Sequence, residues 1–331
     1  MTAPAPGLVT VFGGSGFVGV QLISALAREG WRIKAAVRQP ALAGRLHPLG
    51  NVGQIKAVRC DITSREDVER AIAGSDAVVN LVGLLHEGPG ARFQTVHVDG
   101  ARNIAEAAAA AGVKRLIQIS AIGADPNSPS AYARTKGEAE AAVRAAFPEA
   151  VILRPSIIFG NGDGFLNRFA SMATISPALP LIGGGKTRFQ PVHVGDVSEA
   201  IVRSLTREDV AGRTFELGGP AVMTFEEVLR YILRETRRER LLLPIPFMAA
   251  RMIGSVAQLT SLIGVAPMLT RDQVVLLERD NVVSEGADGL DALGIIPTGV
   301  EAIAPSYLWR YRRGGQFAEN PTRQGDAPLP A

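Results

Sequence analysis

The feature that most constrains this chain is Gly13-Gly14-Ser15-Gly16-Phe17-Val18-Gly19, which follows the apolar run Leu8 to Phe12 directly and opens a stretch of helical pattern. A strand that turns at once into a helix needs residues without a Cβ, because the turn visits unusual backbone angles and the helix must pack closely on the strand. The first N–H groups of such a helix have no partner within it, and its positive end faces whatever lies beyond the turn. Such an end favours a phosphate. The G-x-G-x-x-G spacing of Gly14, Gly16 and Gly19 is weak alone, but here it stands between a strand pattern and a helix pattern. Residues Gly13, Gly14, Ser15, Gly16, Phe17, Val18 and Gly19 are therefore candidate contacts for the pyrophosphate of a dinucleotide.

The first half of the chain repeats that alternation. Strands are expected at Leu8 to Phe12, Arg32 to Val37, Ile55 to Arg59, Ala77 to Leu81, Arg115 to Ile119 and Val151 to Leu153. Helical patterns lie between them at Phe17 to Glu29, Arg65 to Ala73, Ala91 to Ala111 and Ala131 to Phe147. Strands alternating with longer Ala-rich helices predict βαβ units and an α/β fold, a Rossmann doubly wound parallel sheet. Ser64 ahead of Arg65-Glu66-Asp67 reads as an N-cap with acidic residues in the first turn, and Gly30, Gly74 and Gly112 stand where helices should stop. After Arg154-Pro155 the rhythm changes to Gly-rich loops and helices separated by prolines. This gives residues 1–155 as the dinucleotide-binding domain, with elements from 186–206 packing back on it. Residues 156–313 form a smaller, mixed and mostly helical C-terminal region for substrate or docking, and 314–331 a flexible tail. Expected there are a strand near Gln190 to Val194 and helices at Val197 to Thr206, Phe225 to Arg238, Phe247 to Ile263 and Arg271 to Arg279.

The second strand selects the cofactor. An NAD-binding domain of this kind ends that strand in Asp or Glu for the ribose 2′-hydroxyl, whereas an arginine suits a 2′-phosphate. Here the corner reads Ala35-Ala36-Val37-Arg38, with no carboxylate, so Arg38 points to NADP(H).

Totals exclude several classes. With 331 residues, 47% hydrophobic and 20% charged, the chain reads as an ordinary folded protein. Its net charge of +3 is small, and nucleic acid is not an expected partner. Two arginine clusters, Arg234/Arg237/Arg238/Arg240 and Arg310/Arg312/Arg313, are either solvated faces or docking patches for acidic partners or anionic lipid. Cys60 is the only cysteine, so no intrachain disulfide forms, and His47, His86 and His193 have no metal-ligand spacing. No metal is expected. The segment Met1 to Gly7 lacks an apolar signal core, so export is not expected, and polar and Gly/Pro residues dilute Met252 to Thr270 too far for a membrane span.

Later motifs resemble the extended or atypical short-chain dehydrogenase/reductase family, of the NAD-dependent epimerase/dehydratase kind. Cys60-Asp61-Ile62 resembles its acidic adenine contact, which implies Asp61 and Ile62 as cofactor contacts. Asn80-Leu81-Val82-Gly83 resembles its Asn-Ala-Gly loop, implying Leu81, Val82 and Gly83. Arg154-Pro155-Ser156-Ile157-Ile158-Phe159-Gly160 is similar to the loop touching the nicotinamide, implying Pro155, Ser156, Ile157 and Ile158. Phe189 to Val197 resembles a later strand-to-helix landmark. Tyr132-Ala133-Arg134-Thr135-Lys136 is a YxxxK motif, in which an ammonium activates a phenol for proton exchange and also holds the nicotinamide ribose. Tyr132 and Lys136 are thus the candidate catalytic pair and cofactor contacts. The third member departs from the family: in Ile119-Ser120-Ala121-Ile122-Gly123, Ser120 is kept as a cofactor contact, but Ala121 and Ile122 occupy the positions of the carbonyl-polarising hydroxyl. Losing one such donor typically lowers a rate by about 10²–10³. His97 stands where relatives often carry Asn, and reads either as a packing or surface histidine or as a substitute for that structural residue.

The C-terminal region narrows the resemblance. Leu269 to Val283, the ending Tyr307-Leu308-Trp309-Arg310-Tyr311, and Ile119 to Ala124 closely resemble the NADPH-binding accessory subunits of respiratory complex I. That resemblance implies NADPH held as a structural or regulatory ligand and, as partners, other complex I subunits of the hydrophilic arm near the membrane. It also implies a peripheral place on the cytoplasmic side of a bacterial inner membrane. Met248, Met252, Val256, Leu259 and Ile263 share one face at helical spacing, which suits a core helix, a partner interface or a membrane surface. The alternative is an independent NADP-dependent reductase or sugar-nucleotide epimerase using Tyr132 and Lys136.

Overall fold

The computed structural model describes residues 6–257 and 269–315, with side chains except that of Val256. Leu259, Ile263 and the tail from 316 onward lie outside the described residues. Seven parallel strands form the central sheet: β1 (Leu8–Phe12), β2 (Arg32–Val37), β3 (Ile55–Arg59), β4 (Ala77–Asn80), β5 (Arg115–Ile119), β6 (Val151–Pro155) and, after four short strands outside it, β11 (Thr214–Leu217). Their order is β11-β6-β5-β4-β1-β2-β3, so the chain reverses direction between β1 and β4. Such a switch point opens a crevice at the carboxyl ends of the strands.

Helices cover both faces. On one side α1 (Phe17–Arg28) buries Leu22, Ile23 and Leu26; α6 (Val194–Thr206) adds Val197, Ala200 and Ile201 to the same core. On the other side lie α2 (Arg65–Ile72), α3 (Gly100–Ala110) and α4 (Ala131–Ala146), which bury Val68, Ile104 and Val143. Ser64 caps α2 by accepting from the Asp67 N–H at 3.3 Å, and Gly30, Gly74 and Gly112 all take positive φ behind their helices.

The smaller region has its own core. It contains α5 (Leu166–Ile175), α7 (Phe225–Thr236), α8 (Phe247–Ala257), α9 (Arg271–Leu276), α10 (Val300–Ile303) and α11 (Pro305–Leu308). Its strands are β7 (Ile158–Phe159), β8 (Ala178–Ile182), β9 (Arg188–Phe189), β10 (Val192–His193), β12 (Met223–Thr224) and β13 (Leu241–Ile245). In α7, Phe225, Val228, Leu229 and Ile232 recur at helical spacing and are buried, and Thr224 with Glu227 closes a capping box. The ending is anchored: the Tyr307 hydroxyl donates to buried Asp163 at 2.7 Å, and the Tyr311 hydroxyl to Asn167 at 2.9 Å.

Several expected elements differ. The helix expected over Ala91 to Ala111 begins as a π-helical turn, Gln94–Asp99, before α3, a departure frequent at functional sites. The strand near Gln190 to Val194 shrinks to Val192–His193, because His193 is already the extended N-cap of α6, which starts three residues before its expected position. The helix at Arg271 ends at Leu276 rather than Arg279, and α8 is described to Ala257. Strands β8 and β13 pair in parallel despite Pro180 and Pro244; both are edge strands, where a missing N–H is tolerated.

Candidate functional site

The glycine loop lies at the carboxyl end of β1. Gly13 has φ +79°, and its N–H donates to the Ala36 carbonyl at 3.2 Å. A Cβ on Gly14 would stand 2.8 Å from Ile23 Cδ1; one on Gly19 would stand 2.5 Å from the carbonyl oxygens of both Gly13 and Gly14. Gly19 admits no side chain without moving the loop backbone, whereas one at Gly14 would have to displace the Ile23 side chain. Gly16 is the N-cap of α1, no side chain caps that end, and its first turn carries no acidic residue. Ser15, Phe17 and Val18 are only partly buried around it, so the positive end of α1 is open to an anion. The sequence reading missed Arg45, whose guanidinium donates to the Ser15 carbonyl. It belongs to a 3₁₀ segment, Pro40–Leu49, with no periodicity to announce it.

Arg38 is exposed just beyond β2. Asp61, beyond β3, accepts from the Thr63 N–H at 3.0 Å and from its hydroxyl at 2.8 Å. These bonds hold the Asp61 carboxyl below the usual range, and the charges of Arg38 and Arg59 lower it further. Ile62 is buried beneath Gly100. The edge expected to meet adenosine thus sets Arg38 and Arg59 beside the Asp61 carboxylate.

The other end of the crevice is assembled from distant segments. Asn80 donates to the Gln118 side chain at 2.9 Å and accepts from the Val82 N–H at 3.0 Å, which shapes the loop Leu81-Val82-Gly83. A Cβ at Gly83 would lie 3.2 Å from Lys136 Nζ. His97 is buried and bonded on both ring nitrogens: Nε2 accepts from the Leu84 N–H at 2.8 Å, and Nδ1 lies 3.0 Å from the Thr135 hydroxyl. Because Nε2 is the acceptor, the ring proton sits on Nδ1. Burial, with the Lys136 charge, pushes the His97 pKa down to about 3, so the ring is neutral. His97 is therefore a buried tie between the loop after β4 and α4, not a surface histidine.

Tyr132 and Lys136 stand one turn apart on α4, with Nζ 6.0 Å from the ring centroid. Lys136 is buried and donates to the Ile119 carbonyl at 3.3 Å; burial pushes its pKa down to about 8, against the charge of Glu140. Tyr132 packs edge-on to Phe93 and His97. Burial, with the Asp272 carboxylate, pushes its phenol up to about 12, so it is protonated at neutral pH. Ser120 Oγ is buried with no hydrogen-bond partner among the described residues. An orphaned hydroxyl and a buried ammonium, both at the carboxyl end of β5, fit the hydroxyls of a dinucleotide, since burial without a partner is costly. Ile122 is buried and Ala121 partly so, and neither offers a donor. Pro155 and Ser156 are buried beside them, with Ile157 and Ile158 partly exposed.

The stretch after Thr270, a mark of resemblance in the sequence, is structurally the clasp of this end. The Asp272 carboxylate accepts from the Ser130 hydroxyl at 2.9 Å and from the N–H groups of Ala131 and Tyr132 at 2.7 and 3.1 Å. Asn281 accepts the Ser156 hydroxyl at its side-chain oxygen (2.7 Å) and donates to the Ile122 carbonyl at 3.3 Å. Ser284 N–H then bonds Glu216, which shares Arg154 with Glu140. Sequence reading named Ser156 as a cofactor contact; its hydroxyl is bonded to Asn281. Among the described residues no group of three acidic, His or Cys side chains could hold a metal, and no helix is long and apolar enough to cross a membrane.

Residues 9–218 match the model of the NAD dependent epimerase/dehydratase family. The chain belongs to that family. Within it, the chain is 35% identical over 307 residues to mouse mitochondrial NADH dehydrogenase [ubiquinone] 1 alpha subcomplex subunit 9, covering 92% of this chain and 80% of that one. It is 36% identical over 202 residues to the ceramide reductase of Caulobacter vibrioides, covering 61% and 62% respectively. Among solved structures, the dTDP-glucose 4,6-dehydratase DesIV of Streptomyces venezuelae superposes with a TM-score of 0.71 at 19% identity, over 93% of this chain and 98% of that one. That likeness shows the epimerase/dehydratase fold.

Proposed function

We propose that this protein is an accessory subunit of respiratory complex I that holds NADP(H) as a structural or regulatory ligand rather than turning it over. The observation that carries this is a crevice built to hold a dinucleotide, with Ala121 and Ile122 where a carbonyl-polarising hydroxyl would stand, in a chain similar over 92% of its length to a complex I subunit. NADP(H) rather than NAD(H) is supported by Arg38 at the corner where NAD-binding relatives need a carboxylate. Its partners are other subunits of the hydrophilic arm near the membrane. Exposed Met248, Met252 and Ile253 on α8, with Arg238 near both Arg240 and Arg313, suit a peripheral position against that arm and the cytoplasmic membrane surface.

Detergent-solubilised native membranes test this: the protein comigrates with NADH:quinone oxidoreductase activity and retains NADP(H). A free protein turning over NADPH with an added substrate overturns it. The similarity to a ceramide reductase supports a second reading, an independent reductase of a lipid-like carbonyl using Tyr132 and Lys136. Ceramide-dependent NADPH oxidation by the purified protein decides for that reading.

A further inference from the structure

Asn281 belongs to the C-terminal region, 125 residues along the chain from one of its side-chain partners and 159 from the other. Its amide reaches the rim of the crevice where β5 and β6 end. The amide oxygen takes the Ser156 hydroxyl at 2.7 Å, from the turn after β6, and the nitrogen donates to the Ile122 carbonyl at 3.3 Å, from the turn after β5. A carbonyl only accepts, so the amide meets these two partners in one orientation. We propose that Asn281 is a positioning residue for the nicotinamide end of the dinucleotide: from the docking region it fixes Ser156 and the Ala121–Ile122 turn, against which that end lies. This rests on the reading that the crevice holds NADP(H), and it makes the docking region part of the cofactor site rather than an appendage to it.

The Ser156 hydroxyl has one proton, shared between the side-chain and main-chain oxygens of Asn281 at 2.7 and 2.9 Å, and it accepts from the Gln190 N–H at 3.3 Å. Asn281 thus leaves Ser156 no proton to donate to a ligand, only a lone pair to accept with. The two turns already meet through the Ile122 N–H, which donates to the Pro155 carbonyl at 3.1 Å; Asn281 adds a second tie, and Ser156 and Ile122 are both buried. The backbone of Asn281 is held separately. Its N–H donates to the Arg188 carbonyl at 2.8 Å, and its carbonyl accepts from the Gln190 N–H at 3.1 Å. Asp280 accepts from the Arg188 N–H at 2.8 Å, the Val283 N–H donates to the Gln190 side chain at 3.0 Å, and the Ser284 N–H to Glu216 at 2.8 Å. The segment is therefore fixed to β9 and β11 without its side chain at 281. Replacing that side chain frees the two turns and leaves the segment in place.

Two ligands separate this role from a merely structural one: NADPH, and ADP-ribose 2′-phosphate, which lacks only the nicotinamide. In Asn281→Ala, and in Asn281→Asp, which loses the donor, titration of the full chain shows NADPH affinity lowered by about tenfold and ADP-ribose 2′-phosphate affinity unchanged. The fluorescence of bound NADPH moves towards that of the free cofactor in the same variants. An unchanged ratio of the two affinities overturns the proposal. If the variants do not fold, as shown by circular dichroism, wild type decides by hydrogen exchange. Coupling between sites is reciprocal, so saturating NADPH slows exchange at the Gln190 and Asn281 amides more than saturating ADP-ribose 2′-phosphate does. Equal protection by the two overturns the proposal. Failure of wild type to bind either ligand overturns the NADP(H) reading as well, whereas two bound ligands without the contrast overturn this inference alone.

Discussion

The two ends of the crevice are made differently. The end proposed for the phosphates is one continuous turn, Gly13 to Gly19, which offers backbone N–H groups and lacks side chains. The end proposed for the nicotinamide brings together Gly83, His97, Ser120, Tyr132, Lys136, Ser156, Asp272 and Asn281 from segments up to 198 residues apart, most of them held by side-chain hydrogen bonds. A site written in the backbone tolerates almost no added atom, whereas a site written in side chains is tuned by charge and burial.

The largest effect expected is at the backbone end. In Gly19→Ala the new Cβ meets two loop carbonyls at 2.5 Å, so titration should show dinucleotide affinity lowered by about 100-fold or more, with about 1–3 kcal/mol of stability lost to overpacking. Unchanged affinity would mean that the loop is not the phosphate site. Next is Arg38→Ala: charge-assisted bonds to a 2′-phosphate contribute on the order of 1.5–3 kcal/mol, so NADPH affinity should fall roughly 10- to 100-fold while NADH affinity holds. If the ratio of the two does not change, the 2′-phosphate assignment is wrong.

The nicotinamide end should instead respond to pH. Lys136 must be protonated to donate to a ribose hydroxyl, and its pKa is lowered to about 8 by burial. NADPH affinity should therefore decline as pH rises through 8, by about tenfold at pH 9, and Lys136→Met should bind weakly with no such decline. The smallest effect concerns His97. Its folded pKa, near 3, lies below the ordinary 6.5, so the unfolded chain binds the extra proton and stability falls as pH drops below 6.5. Between pH 6.5 and 5.5 this contributes about 1 kcal/mol. Denaturant melts of His97→Asn should lose that part of the slope; an identical slope would mean that His97 is not buried neutral.

Much of the fold was legible because six strands and the Ala-rich helices carry their periodicities locally, and the glycine loop sits between two of them. The seventh strand, Thr214–Leu217, escaped notice because four residues at a sheet edge show no alternation; pairing with β6 is what makes it a strand. Prolines disguised β8 and β13 in the same way. At the site, the motifs named Tyr132, Lys136 and Ser120, yet nothing local assigned Arg45 to the Ser15 carbonyl or gave His97 two partners.

The sequence alone settled where the chain must turn without side chains, since only glycine permits it, and that no hydroxyl stands at 121 or 122. Tertiary structure decided the protonation of that end. The charge on Tyr132, Lys136 and His97 depends on burial and on neighbours such as Asp272, 140 positions from Tyr132 in the chain. Such energies depend on distance in space, which residue spacing does not encode.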